Sequence, residues 1–235
     1  ALGAYRITNN YNEMIGLALR VLDENSGTLN PVVNQLSTVF NDEAATEKLR
    51  EQTMLYIQRN PGKVVFEELL LEIYLQQKKY AAAFRQASAM DKRNKEEGNR
   101  VLQLAELCTQ NNAYDVAIKA YRYVLDLGEN NLNYFAAQEG LINTLFFKTK
   151  ASYTTNKEEL GSLIALIEEL IEKEGINYNT VGSLIKLAEL NIFYDQNVAR
   201  GIELLEKAIV VPRQSSNQLA QAKLLLGDAR LINNN

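Results

Sequence analysis

Two stretches of this chain match each other at a fixed offset. Gln77-Lys78-Lys79-Tyr80-Ala81-Ala82-Ala83-Phe84 aligns with Asn111-Asn112-Ala113-Tyr114-Asp115-Val116-Ala117-Ile118, and Tyr80 and Tyr114 stand 114 − 80 = 34 positions apart. Self-similarity at about 34 residues is the period of a unit built from two helices and a turn. Such a unit cannot bury its apolar face alone, so units stack and share a continuous core. The architecture that follows is a helical array, and it points to a binding surface in place of a reaction centre.

Composition agrees. Only three prolines occur in 235 residues, and apolar residues recur at helical spacing nearly throughout, which predicts an all-α protein. A hydrophobic content of 46% suffices for a large core. Length alone would fit one domain or two, but a stack grows without a single centre, so one domain over 1–235 is expected. Lys and Arg number 25 against 29 Asp and Glu, a net charge of −4 with no concentrated basic surface. Nucleic acid is therefore not expected as a partner. The cluster Asp91-Lys92-Arg93-Asn94-Lys95 is placed between two helices and reads as a solvated turn.

The longest apolar stretches, such as Leu163 to Ile171, are broken by glutamates and too short to span a bilayer. No signal peptide is visible at the start, but a mature exported protein would look the same. Cytoplasmic and periplasmic or exported locations both stay open. The single cysteine, Cys108, rules out an intramolecular disulfide.

The clearest unit runs over 98–131. Its first helix offers Val101, Leu104, Ala105 and Cys108; its second offers Tyr114, Ala117, Ile118, Tyr121, Val124 and Leu125. The unit before it, 64–97, offers Leu70, Leu71, Tyr74, Tyr80, Ala83, Phe84, Ala87 and Met90, after a turn at Arg59-Asn60-Pro61-Gly62. These residues resemble the tetratricopeptide repeat family, of the kind found in bacteria. That family places a large residue, a Leu, a small residue and a Tyr down helix A. Its helix B carries a Tyr at the start, a small residue one turn later, an aromatic and a second small residue. Small residues sit where helices cross closely and larger ones fill the groove opposite. Cys108 stands at the family's Tyr position, as a small buried hydrophobe. The resemblance implies a right-handed α-solenoid of antiparallel helix pairs, and the periodicity gives about a dozen helices.

Beyond Asn131 the pattern loosens. A helix from about Asn133 to Lys148, a polar loop to Asn156 and a helix over Lys157 to Lys173 form a divergent repeat, 132–175, stopped at Gly175. A further repeat, 177–213, carries Leu184, Leu187, Ala188 and Asn191, then Gly201, Ile202, Leu205 and Ala208, and ends near Pro212. Its inter-helix turn, Tyr194 to Asn197, is one residue longer than in the other repeats. Leu29 to Phe40 and Glu43 to Ile57 read as amphipathic helices with poor family matches. Partial repeats are expected at 1–24 and 216–235. Both ends read as cut inside repeats, so a longer array is expected, with true caps as the alternative.

No reaction centre can be assembled. The chain has no histidine, no Gly-rich phosphate loop and one cysteine, so neither a His-dependent triad nor a zinc site is available. Glutamate pairs such as Glu67-Glu68 and Glu158-Glu159 are neighbours on a helix and point apart. No catalytic activity, cofactor or metal is expected.

In the resembling family the A helices line the concave face, where partner peptides lie. The matching positions here are Glu68, Glu72 and Gln76 in one repeat, and Leu102, Gln103, Glu106 and Gln110 in the next. Domains of this family that clamp a C-terminal carboxylate use Lys, Arg and Asn there. Acids and glutamines stand there in this chain, so a protein or peptide partner is expected to be basic or neutral, not acidic. Solvated polar faces are the alternative. A second reading is a glycan-binding helical-repeat protein of a bacterial cell envelope. It would need exposed aromatic platforms; Trp is absent, and Tyr134, Tyr153, Tyr178 and Tyr194 are the tyrosines not explained by repeat positions. Oligomeric state is left open.

Overall fold

The computed structural model describes residues 10–152, 154 and 156–233. The expected half-helix at the start of the 1–24 repeat, and Tyr153, lie outside the described residues. Every regular element described is helical. Backbone contacts divide the chain into two compact units, with the boundary in the sequence between Leu104 and Ala105.

The first unit begins with α1 (Tyr11–Glu24), capped by Asn10, whose side chain accepts from Glu13 N at 3.4 Å. Met14, Ile15, Ala18, Leu19 and Leu22 form its buried stripe, at the spacing of one helical face. A short 3-10 turn leads to α2 (Leu29–Gln35) and α3 (Ser37–Phe40). One amphipathic helix was expected over Leu29 to Phe40. The structure breaks it at Leu36, whose φ/ψ of −77/3 leaves the helical well. Val32, Leu36 and Val39 all pack into one core with α1. Helix α4 (Glu43–Arg59) is capped by Asp42, which accepts from Ala45 N at 2.8 Å.

Two helices follow at the expected places, α5 (Val64–Gln76) and α6 (Tyr80–Asn94). Helix α6 is longer than expected: Lys92, Arg93 and Asn94 form its last turn, and the stop is Lys95, in the left-handed region at φ 55. The basic cluster is thus a helix C-terminus, where cations complement the exposed carbonyl dipoles, and not an inter-helix turn. Arg93 donates to the buried Glu67 carboxylate from both guanidinium nitrogens, one bond being 2.7 Å. Buried Asp91 accepts from Gly98 N at 2.7 Å and so fixes the entry to α7 (Asn99–Gln110).

In the second unit, α8 (Tyr114–Leu125) and α9 (Tyr134–Ala151) pack together, followed by α10 (Lys157–Glu174), α11 (Val181–Phe193), α12 (Val198–Ile209) and α13 (Ser216–Asn233). Helix α9 runs three residues past the expected end at Lys148. Its close crossing with α8 is made by Gly140, where a Cβ would overlap the Tyr121 ring. Gly175 ends α10 with φ 74, as the sequence predicts.

The A-to-B turns share one device. A left-handed residue, Lys78, Asn112 or Gln196, turns the chain. The next N–H then bonds back to helix A: Lys79 to Tyr74 O at 2.8 Å, Ala113 to Cys108 O at 2.8 Å, Asn197 to Asn191 O at 2.7 Å. Each acceptor is the residue at the family's Tyr position. The third loop closes over one extra residue, as expected from its length.

Candidate functional site

Helix α5 carries Glu68, Glu72 and Gln76 on one face, one turn apart. Val65, Phe66, Leu69, Leu70 and Ile73 anchor the helix by burial, which fixes the rotation that presents the three polar residues. Glu68 is half-buried and meets Arg100 at 3.1 Å; Arg100 also bonds Glu96 at 2.8 Å. Glu72 is half-buried and makes no ion pair among the described residues. Burial, and then the neighbouring Glu68 charge, raise its carboxyl above the usual glutamate range. Gln76 is exposed. Arg100 was not among the expected site residues. It stands four residues after Glu96, which lies in the turn just before α7.

On α7, Gln103, Glu106 and Gln110 are exposed on one side of the helix. Leu102 is buried at 9% exposure, so this residue serves the core of the helix and offers little to a partner. Residues 105–110 of α7 belong to the second unit. There Thr109 and Thr144 share a 2.7 Å hydroxyl hydrogen bond, and Cys108 is fully buried.

Burial pushes the Cys108 thiol up to about 11, so the reactive thiolate is scarce at neutral pH. A maleimide or disulfide reagent at pH 8 is expected to leave Cys108 unmodified in the folded chain and to label it fully in denaturant. Rapid labelling of the native protein would contradict this burial.

Of the tyrosines proposed as sugar platforms, three are described. Tyr134 is half-buried beneath Lys173, whose Nζ lies 5.3 Å from the ring centre, and Tyr194 packs on the core of the second unit. Only Tyr178 is exposed, at 52%. Among the described residues no group of three His, Cys, Asp or Glu side chains stands where it could hold a metal ion, and no helix is long and apolar enough to cross a membrane.

The chain matches no family model and no curated protein. Among solved structures, the yeast Tom70 crystal structure aligns with 98% of this chain and 49% of its own, at TM-score 0.52 and 17% identity. This chain therefore spans about half the length of that protein. A tetratricopeptide repeat protein from Parabacteroides merdae ATCC 43184 aligns with 99% of this chain and 84% of its own, at TM-score 0.44 and 11% identity. The P58(IPK) TPR domain aligns with 97% and 64%, at 0.41 and 13%. The first likeness and the helix pairing described above agree: this chain has an all-α fold like that of the tetratricopeptide repeat solenoids.

Proposed function

We propose that this chain is a non-catalytic protein–protein interaction scaffold that presents the polar faces of its A helices to an extended or helical segment of a partner. The observation that carries the reading is the row of Glu68, Glu72 and Gln76 on α5, held by a helix whose opposite face is buried. Glu72 is the informative member, since a half-buried carboxylate with no cation beside it is costly and gains from a partner's donor. The exposed face of α7, with Gln103, Glu106 and Gln110, offers further acceptors and donors of the same kind. Glu68 is paired with Arg100, and the acidity that is left, at Glu72 and Glu106, favours a basic or neutral polar segment by charge complementarity. The glycan reading has less support, because Tyr134 and Tyr194 are largely covered.

Panning a random linear-peptide library against the chain tests this. Selected peptides should be rich in Lys, Arg or uncharged polar residues. Glu72→Lys should weaken them on the order of tenfold or more, the effect of replacing a charge-assisted hydrogen bond by repulsion. Selection of acidic peptides, or of none, would contradict the proposal.

A further inference from the structure

Helix α13 is apolar on two opposite sides. Ala222, Leu226 and Ala229 are buried in the core shared with α11 and α12, and Leu225 is partly buried beside them. Half a turn away stands a second stripe, Asn217, Ala220, Leu224, Gly227 and Leu231, and every member is exposed. Leu224 is 72% exposed and Leu231 68%, and a Cβ at Gly227 would meet no atom within 4 Å. A single exposed leucine needs no explanation. Two on one line, directly opposite a buried face, form an apolar patch that water alone covers poorly.

The spacing of the stripe is specific. Successive members lie 3, 4, 3 and 4 residues apart, the alternation of a coiled-coil seam with the leucines at one core position and alanine and glycine at the other. Small residues between the leucines let a second helix axis come close. The seam points away from α11 and α12, which pack on the other side of α13, so the second unit does not block it.

The flanks decide what fits. Lys223 and Arg230 border the stripe on one side, Gln221 and Asp228 on the other. Arg230 is tied to Glu206 of α12 at 2.9 Å, whereas Lys223 and Asp228 make no ion pair among the described residues. When two copies of this helix lie parallel and in register, each Lys223 faces Asp228 of the other copy, the 228 − 223 = 5 offset of flanking charges across a seam. The pair forms twice, because the contact is self-complementary. Asn217 then meets its own counterpart, a polar pair of the kind that sets a two-stranded register. Antiparallel pairing would instead bring Lys223 against Arg230, base against base.

We propose that this face of α13 is the contact of a homodimer, in which α13 of a second copy lies parallel and in register, Leu224 on Leu224 and Leu231 on Leu231. The helix has 18 residues, and a contact of that length belongs to the small interfaces, so a Kd on the order of 100 µM is expected.

Sedimentation of the full 235-residue chain, from about 10 µM to about 1 mM, reads the dimer directly. Leu224→Glu should weaken it by about tenfold or more with the melting temperature held, since that side chain is exposed in the single copy. Lys223→Glu sets like charges side by side and should weaken the dimer on the order of fivefold, as should Asp228→Lys, while the double variant should restore it. A chain that stays monomeric to the highest concentration overturns the proposal, as does a Leu224→Glu variant that dimerises like the parent. A tighter dimer from Lys223→Glu, the sign of antiparallel pairing, overturns it too.

Discussion

Replacing Ala117 by arginine should lower the melting temperature by on the order of 10 °C, or prevent folding of the second unit. Ala117 is fully buried, one turn into α8 after Tyr114. An arginine there adds a long side chain to a packed crossing and buries a charge with no partner. Each effect costs several kcal/mol by itself, roughly 1–3 for overpacking and more for an unpaired charge. A thermal melt followed by circular dichroism measures it. An unchanged melting temperature would reject the alignment of Tyr80 and Ala83 with Tyr114 and Ala117.

Gly201→Leu should be nearly as damaging, for a different reason. Gly201 lies at the crossing of α12 with α11. A Cβ there would overlap Ile192 Cγ1 and stand 3.1 Å from the Ala188 carbonyl oxygen. The side chain of Ile192 is itself buried and the carbonyl is backbone, so neither can yield without separating the helices. A loss of roughly 3 kcal/mol or more is expected, at the upper end for overpacked cores. Gly161→Ala is the matched control. It sits in the exposed face of α10 with nothing within 4 Å, and should raise stability by about 0.5–1 kcal/mol. Equal effects of the two substitutions would show that close crossing does not control the second unit.

The close crossings were the legible part of the sequence. Tyr80, Ala83, Tyr114 and Ala117 fixed the helix pairs because small residues are needed where helix axes approach. The turns followed, since Lys78 and Asn112, both left-handed, lie 112 − 78 = 34 residues apart. The extra residue before Asn197 was likewise visible from spacing alone. What periodicity could not show was where a helix breaks. Leu29 to Phe40 reads as one amphipathic segment, with Val32, Leu36 and Val39 spaced for a single helical face, so nothing in it marks the bend at Leu36. Nor could it show that Lys92 and Arg93 continue α6, because the stop signal there is a lysine in the left-handed region and not a glycine.

The candidate residues came from the family resemblance, which sets Glu68, Glu72 and Gln76 one turn apart on α5. Periodicity alone could not have placed them, because buried residues surround α5 on most sides. Leu102 could not be placed correctly, since the side of α7 it occupies depends on what covers it.

The most direct test of the scaffold reading is chemical-shift mapping of the backbone amides with a selected peptide bound. The predicted result is perturbation concentrated on α5 and α7, at Glu68, Glu72, Gln76, Gln103, Glu106 and Gln110, with little change along α6 and α8. Perturbation centred on α6 and α8, with α5 and α7 silent, would contradict it.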